Sequence, residues 1–398
     1  MSESRHRTNP RPPNGKGAKP AKPSPGEPGT GTRPYRPLQI DIPALAGKAY
    51  DRLQKQQPGL FRNASPYQRA RAREDLRDHL VVLRESLAAG SPALLADYAR
   101  RAQVFFSVRH LPHGYVSAGF VALRDVLRAD LPEDIRRDAD AILRKGIASV
   151  KGDPAIPVSC IDDGAPLAGE AHALLAALTG GDLPAARRIV DDAVAAGTSV
   201  EDICLCLFQP VLAEAGRLWL IQHLGVAEEH VITAFIDAEI GRLRETALRT
   251  SGPASGSHEK TVVAASVEGD RHGIGIRIVS DFFGMEGWTA YYTGPDTPAA
   301  SLLRLVRARR AAVVALSCTM VSHLPALYYL IRALRADPET AHVKIVVGGY
   351  PFSVARGLWR QIGADAYARD AREAVAAAER LVAGSRAKGS RSPRPSRG

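Results

Sequence analysis

Apolar residues recur three and four positions apart through residues 40–150, the spacing that places them on one face of a helix. The segment 75–83 shows the pattern clearly, with Leu76, Leu80 and Leu83 on one side. Pro92 marks the start of another helix, because proline is favoured in the first turn, and a Pro-His-Gly stretch at 112–114 breaks the pattern. We therefore expect an all-helical domain of about five helices over residues 39–151.

A second helical region follows a passage around residues 152–166 that contains Gly and Pro. Its apolar stripes predict four helices joined by short turns, over residues 167–178, 183–195, 200–221 and 226–248. Ser199 and Asp202 have the spacing of a capping box at the start of the third helix. Short connections of this kind are typical of a compact four-helix bundle, which we assign to residues 160–250.

Strands alternate with helices from residue 260 onwards. The predicted strands lie near 261–267, 288–293, 311–317, 343–347 and 364–367, and the helices near 274–284, 299–308, 322–335, 353–361 and 370–383. This alternation is typical of a parallel, doubly wound sheet of the flavodoxin type. The predicted fold class is α plus α/β, in which an all-helical domain and a four-helix bundle precede a Rossmann-like domain at residues 260–383.

The net charge of +11 is carried by the two ends of the chain. Residues 1–38 contain eight Lys or Arg and two acidic residues, and residues 384–398 contain five basic residues and no acidic ones. Both segments are rich in Pro, Gly and Ser, so we expect disordered basic tails; residues 251–259 have the composition of a linker. The tails could touch nucleic acid weakly, although solvated tails without a partner are the simpler interpretation.

The four cysteines, Cys160, Cys204, Cys206 and Cys318, form no C-x-x-C pair and no framework of bridges. We interpret them as reduced thiols and expect a cytoplasmic protein. No apolar run approaches the roughly 18 residues of a membrane span. The N-terminus has no apolar core of a signal peptide, so we expect no contact with a membrane.

The stretch from Asp270 through His272 to Gly275 has the form D-x-H-x-x-G and comes just after the first predicted strand. A strand that runs into this motif before a helix places one imidazole at the carboxyl edge of the sheet, where open α/β folds bind ligands. Histidine is a common metal ligand, and a nearby acid can take the proton of its other ring nitrogen. Gly273 and Gly275 also suggest a dinucleotide loop, but Ile278 stands where that motif needs its third glycine.

Two more motifs follow later strands, Ser317-Cys318-Thr319 and Gly348-Gly349. Together with D-x-H-x-x-G they resemble the signature of base-off/His-on cobalamin-binding domains, including the corrinoid module of methionine synthase. The resemblance implies that His272 is the lower ligand of the cobalt and the protein's metal ligand, with Asp270 as its hydrogen-bonding partner. It also implies that the other motif residues contact the cofactor, Gly275 beside the ring and Ser317, Thr319, Gly348 and Gly349 around its nucleotide tail.

Within the bundle, Trp219 is followed after nine residues by Glu229-His230. This spacing resembles the cap of cobalamin-dependent photoreceptors, the light-sensing repressors of carotenoid genes. The resemblance implies that Trp219, Glu229 and His230 cover an adenosyl group above the cobalt, so adenosylcobalamin is the favoured cofactor and methylcobalamin the alternative. In a bundle without this role, the tryptophan would be a core residue and the Glu-His pair a solvated first turn.

Leu220 departs from the photoreceptor pattern, in which a histidine commonly follows the tryptophan and binds cobalt in the light. His223 could replace that histidine or be a solvated turn residue. The region 39–151 contains no recognisable DNA reader, so its role is unassigned: an interaction or dimerisation domain is one interpretation. A second chromophore held by His79, His110 and His113 is the other.

Two functions are compatible with these motifs. In the first, the chain is a regulator rather than an enzyme, a photoreceptor or antirepressor that acts on a transcription factor and forms a homo-oligomer. In the second, it is a corrinoid methyl carrier that serves separate methyltransferases. A methyl carrier needs neither an adenosyl site nor a long helical N-terminal domain, and these two features favour the regulator.

Overall fold

The computed structural model describes residues 33–250 and 260–389 of the chain. The predicted linker at 251–259, residues 1–32 of the first predicted tail and most of the second lie outside the described residues. Residues 33–38 are ordered: the Tyr35 amide donates to the Gln361 carbonyl over 3.2 Å, and the Arg36 amide donates to the Ala88 carbonyl over 3.0 Å. The end of the predicted basic tail is therefore part of the folded protein.

The N-terminal domain is all helical, as predicted. Its helices are α1 (Ile42–Gln56), α2 (Pro58–Phe61), α3 (Pro66–Ala88), α4 (Pro92–Ser107), α5 (Tyr115–Asp130) and α6 (Glu133–Ser149). Ser65 and Gln68 form a capping box at the start of α3, and five of the six helices have proline in the first turn or just before it. Leu76, Leu80 and Leu83 are buried in its core, as their spacing predicts.

The second helical unit consists of α7 (Ala168–Thr179), α8 (Leu183–Ala195), α9 (Val200–Asp202), a π-helical turn (Ile203–Phe208), α10 (Gln209–Leu220) and α11 (Val226–Thr250). The Ser199 hydroxyl accepts a hydrogen bond from the Asp202 amide over 3.0 Å. The Asp202 carboxylate instead pairs with Arg372 of the sheet domain over 2.9 Å, so the predicted capping box is half formed.

The π-helical turn interrupts what the sequence predicts as one helix. Pro210 has no amide hydrogen, and its ring would clash with the carbonyl of residue 206 in a regular α-helix. The Gln209 amide reaches back five residues to the Cys204 carbonyl, which widens the turn. The stretch Val200–Leu220 is also long and apolar enough, by length and composition, to cross a membrane, contrary to the sequence expectation. A core helix passes the same test, and Ile203, Leu207 and Phe208 are buried in the bundle core.

The C-terminal domain is a parallel five-stranded sheet in the order β2-β1-β3-β4-β5, which confirms the predicted fold class. Its strands are β1 (Thr261–Ser266), β2 (Thr289–Tyr292), β3 (Val313–Ser317), β4 (Lys344–Gly348) and β5 (Ala366–Tyr367). Its helices are α12 (Ile274–Met285), α13 (Ala299–Ala308), α14 (Leu324–Ala336), α15 (Tyr350–Val354), α16 (Leu358–Ile362) and α17 (Ala371–Gly389). The helix predicted at 353–361 is split, because Gly357 takes a left-handed backbone (φ 84°) between α15 and α16.

The two faces of the sheet belong to different cores. Val262 and Ala264 of β1 point into a core shared with α12, α17 and the helical bundle. The alternate residues Val263 and Ala265 point into the opposite core, which includes Tyr35 and Leu94 from the N-terminal side of the chain. The bundle and the N-terminal domain therefore lie against opposite sides of the sheet domain.

Candidate functional site

The three loops that carry the predicted motifs lie side by side. Ser266 at the end of β1 pairs with Ser317 at the end of β3, and Ser317 pairs with Gly348 at the end of β4. The chain leaves β1 for β2 on one side and later returns to β3 on the other. This point in the strand order is where open parallel sheets bind ligands.

Asp270 and His272 form a tight pair on the first loop. The Nδ1 atom of His272 lies 2.7 Å from Oδ1 of Asp270, which also accepts the His272 amide over 3.1 Å. Oδ2 of Asp270 accepts the Thr319 amide over 2.5 Å. The Ser266 hydroxyl donates to the His272 carbonyl over 2.8 Å, which fixes the backbone behind the ring.

The electrostatics of this pair fix the tautomer of the imidazole. Burial raises the pKa of Asp270, but hydrogen bonds from His272 and Thr319 outweigh it and bring that pKa below its usual value. The hydrogen bond to Asp270 raises the pKa of His272 against the opposing effect of burial. An ionised carboxylate accepts only, so Nδ1 carries the proton and Nε2 of the neutral ring keeps its lone pair. The His272 side chain is 59% exposed, so this nitrogen suits a metal ligand.

The motif glycines differ in the space that a side chain would find at each position. At Gly349, where φ is 113°, a Cβ would overlap the carbonyl group of Cys318, so the approach of two backbone segments requires glycine. A Cβ at Gly348 would lie 3.3 Å from the Ala368 carbonyl oxygen. At Gly275 no described protein atom lies within 4 Å of where a Cβ would be. Packing within the protein does not require glycine there, which fits a bulky group lying beside the first turn of α12.

A second histidine, His323, lies beside Asp270 and was not among the predicted site residues. Its Nδ1 atom lies 3.9 Å from Oδ2 of Asp270 and is buried without a hydrogen-bond partner among the described residues. One sequence signal could have indicated His323: it stands at the start of the helix predicted near residue 322, at the same sheet edge as the motifs. The Cys318 thiol is also buried here, 3.4 Å from the Met320 carbonyl oxygen, and burial followed by the Asp270 charge raises its pKa.

The three predicted cap residues flank the turn between α10 and α11. Glu229 accepts from the Thr233 hydroxyl over 2.8 Å, and its charge contributes to the raised pKa of His272, so it lies towards that ring. Nε2 of the exposed His230 is 3.7 Å from Glu229. Trp219 packs against Phe105 of α4, with ring centroids 5.8 Å apart. The structure thus brings Glu229 to the side of His272 and anchors Trp219 on the N-terminal domain.

The residues that depart from the photoreceptor pattern have structural explanations. Leu220 is buried with Ile221 against Val104 of α4, so it is a packing residue. His223 is exposed in the turn, where its amide donates to the Leu218 carbonyl over 2.8 Å. In the N-terminal domain, His79 is buried and its Nδ1 lies 2.8 Å from the Tyr98 hydroxyl, whereas His110 and His113 are exposed.

These features define a cobalamin-binding protein: an imidazole at the carboxyl edge of a parallel sheet, with a helical bundle packed on the same domain. Residues 260–378 match the B12 binding domain family, and residues 170–244 match a second B12 binding domain family. Dimethylamine corrinoid protein 1 of Methanosarcina acetivorans is 35% identical over 174 residues, which cover 44% of this chain and 76% of that protein. Dimethylamine corrinoid protein 3 of Methanosarcina mazei is 34% identical over 171 residues, covering 43% of this chain and 95% of that protein.

The chain belongs to the family of these corrinoid proteins. The solved monomethylamine corrinoid protein of Methanosarcina barkeri aligns with 55% of this chain and 100% of its own, with 19% identity and a TM-score of 0.46.

The prediction of a photoreceptor or antirepressor is wrong, because the relatives are dimethylamine corrinoid proteins. The transcription-factor partner and the preference for adenosylcobalamin both rested on it. In this pattern of a tryptophan followed by Glu-His, Glu229 lies towards His272 and Trp219 packs against the N-terminal domain. A flat ring with a carboxylate beside it can cover a corrin whatever its upper ligand is, so this pattern does not distinguish a sensor from a carrier.

Proposed function

We propose that the chain is a methyl carrier that takes a methyl group from an N-methylated amine, through one methyltransferase, and passes it on through another. The family relation to dimethylamine corrinoid proteins supports this function. The observation that carries it is the His272–Asp270 pair, which presents one basic nitrogen outwards at the sheet edge. Bound cobalamin would supply a cobalt centre that accepts and releases methyl groups.

His272 would bind the cobalt through Nε2. Asp270 would keep the proton on Nδ1 and fix the plane of the ring, and the Thr319 amide would hold Asp270 in place. Gly275 would leave room for the corrin edge beside α12, and Ser317, Gly348 and Gly349 would border the nucleotide tail.

The bundle would shield the opposite face of the corrin and would move aside when a methyltransferase binds. The far half of α11 is tied to α12 by ion pairs, Arg277 with Asp237 at 2.5 Å and Arg244 with Asp281 at 2.9 Å. The first turn of α11, with His230, is exposed. A pivot in the far half of α11 would therefore let the turn before it swing away from His272.

All four cysteines are free, and we place the protein in the cytoplasm.

The test uses the full chain loaded with cobalamin under reducing conditions. Radiolabelled mono-, di- or trimethylamine is added together with the purified methyltransferase for that amine, and label retained on the chain is counted. We expect retention with one methyltransferase, its transfer to an added thiol acceptor by a second methyltransferase, and loss of retention in His272→Ala. Failure of every amine to label a chain that has bound cobalamin would overturn the proposal.

A further inference from the structure

The turn between α10 and α11, residues 221–225, is the cap turn. It is attached to the N-terminal domain by an arginine just after α4. Arg109 stacks on Phe105, with its guanidinium carbon 3.6 Å from the ring centroid, and lies 5.9 Å from the ring of Trp219. Its Nη1 atom donates to the carbonyl of Leu220 over 3.3 Å. Arg109 therefore lies beside Trp219, the next-to-last residue of α10, and binds the carbonyl of Leu220, the last one.

This contact is suited to fixing the end of α10. The last carbonyls of a helix have no intrahelical donors and carry the negative end of its dipole, so a cation there is stabilising. A guanidinium over an aromatic ring adds a cation–π attraction. Val104 completes the contact by packing on Leu220 and Ile221.

Within the bundle, the turn that Arg109 contacts is held by its own backbone and by Leu224, which is buried in the core. Gln222 has a left-handed backbone (φ 65°), which is strained for a residue with a side chain. The amides of Gln222, His223 and Leu224 all donate back to Trp219 or Leu218, within the same turn. The contacts of Val104, Phe105 and Arg109 with Trp219, Leu220 and Ile221 add a second attachment of this turn, from outside the bundle.

The other half of α4 is attached to the sheet edge. Asp97 accepts from the Tyr350 hydroxyl over 3.0 Å, and the Arg101 guanidinium carbon lies 4.9 Å from the centroid of the same ring. Tyr350 directly follows Gly349 at the end of β4. One helix thus connects the cap turn to the edge of the sheet that carries His272.

We propose that Arg109 and Phe105 are positioning residues that hold Trp219 and the α10–α11 turn over the upper face of the corrin. The N-terminal domain then restrains the opening of the cap. This inference rests on the proposed function for its consequence in methyl transfer, but the contact itself is tested without a methyltransferase.

The first test is ¹⁹F NMR of the full, cobalamin-free chain labelled with 5-fluorotryptophan. The chain has three tryptophans, Trp219, Trp288 and Trp359, and Trp219→Phe assigns the cap resonance. In Arg109→Gln we expect the Trp219 resonance to shift or broaden while the other two stay in place. In the control Arg73→Gln, which removes a guanidinium stacked on Tyr50 inside the N-terminal domain, all three should remain. A Trp219 resonance that coincides with wild type in Arg109→Gln would overturn the proposal.

Two further variants guard against a general loss of structure. Arg109→Lys keeps the charge and a donor for Leu220, so its Trp219 resonance should move part of the way back towards wild type. If Arg109→Gln shifts all three resonances, Phe105→Leu replaces it, because it removes the stacked ring and leaves the charge. The same criteria then decide.

The second test measures access to the upper face by cyanide binding to the chain loaded with hydroxocobalamin. Loss of a cation–π contact and a cap hydrogen bond predicts binding about threefold to tenfold faster in Arg109→Gln. Equal rates in Arg109→Gln and wild type would contradict a restraint on the cap. Neither readout involves an amine. A chain that carries no methyl group could therefore still show both effects, and a chain that does carry methyl groups could show neither.

Discussion

Asp270 is the residue on which the cobalamin site depends. It is fully buried, and its carboxylate accepts three hydrogen bonds from the loops of the sheet edge: two from His272 and one from Thr319. A buried carboxylate stays ionised only when such donors compensate for lost hydration. Asp270 therefore links the position of the His272 ring to the separation of the β1 and β3 loops.

Replacing Asp270 by Asn should weaken cobalamin binding about tenfold to a hundredfold, the usual effect of removing a partner of a metal-binding histidine. The amide still fits the space, but it cannot hold the proton on Nδ1 as strongly. The dissociation constant for hydroxocobalamin is measured by absorbance titration. Glu268→Gln, an exposed carboxylate on the same loop, is the control and should bind like wild type. Equal affinity of Asp270→Asn and wild type would show that the pair does not support the ligand.

Among the secondary-structure elements, the strands and the loops after them were predictable, because buried parallel strands are short apolar runs and motifs after them must share one edge. The π-helical turn and the split between α15 and α16 were not anticipated, since each depends on one residue, Pro210 or Gly357, within an apolar run. The contact of Arg109 with Leu220 could not be predicted. It joins segments 111 residues apart, and neither segment carries a motif that points to the other.

Substituting alanine at Gly349 and at Gly275 should change the stability of the cobalamin-free protein in opposite directions. Gly349→Ala forces a side chain onto Cys318 with a left-handed backbone, and we expect a loss of about 3 kcal/mol in the free energy of unfolding. Gly275→Ala meets no atom of the described residues within 4 Å in the first turn of a helix and should gain about 0.5 kcal/mol.

Urea unfolding measures both free energies, and a hydroxocobalamin titration is run on Gly275→Ala in parallel. The added methyl group should weaken binding of the corrin even though it stabilises the free chain. Tighter or unchanged binding would show that the space at Gly275 is not used by the cofactor.

At the scale of the whole molecule, the sheet domain lies between two helical units, the four-helix bundle and the N-terminal domain. The bundle and the sheet domain match cobalamin-binding families, and their cofactor was predictable from four short motifs. The choice between a sensor and a carrier was not predictable from the sequence. It depends on the partner proteins and on the upper ligand of the cobalt, which are not part of this chain. The N-terminal domain contacts the bundle at Trp219 and the sheet edge at Tyr350, through residues that carry no sequence motif.

The stability of the N-terminal domain should depend on two opposing titrations. Burial lowers the pKa of His79 to about 3, so its unfolded form binds the proton first and stability falls as the pH drops from 6.5. Burial raises the pKa of Asp75 to about 6, so its folded form binds the proton first and stability rises over the window from 6 to 3.8. The two effects nearly cancel between pH 7 and 4.

Single substitutions should separate the two effects. Between pH 7 and 4, Asp75→Asn should lose about 3 kcal/mol relative to wild type, and His79→Gln should gain about the same amount. Native-state hydrogen exchange of α3 and α5, corrected for intrinsic rates, measures these differences. Parallel pH profiles for both variants and wild type would show that neither group titrates with folding.

Burial of Cys318 has a consequence for chemical selectivity. A thiolate is the most reactive soft nucleophile among side chains, and one next to the sheet edge would compete for any electrophilic methyl group held there. Burial and the neighbouring Asp270 charge keep this sulfur protonated, and its hydrogen points to the Met320 carbonyl. If the chain carries methyl groups as proposed, the carboxylate that orients His272 would also keep Cys318 from competing for them.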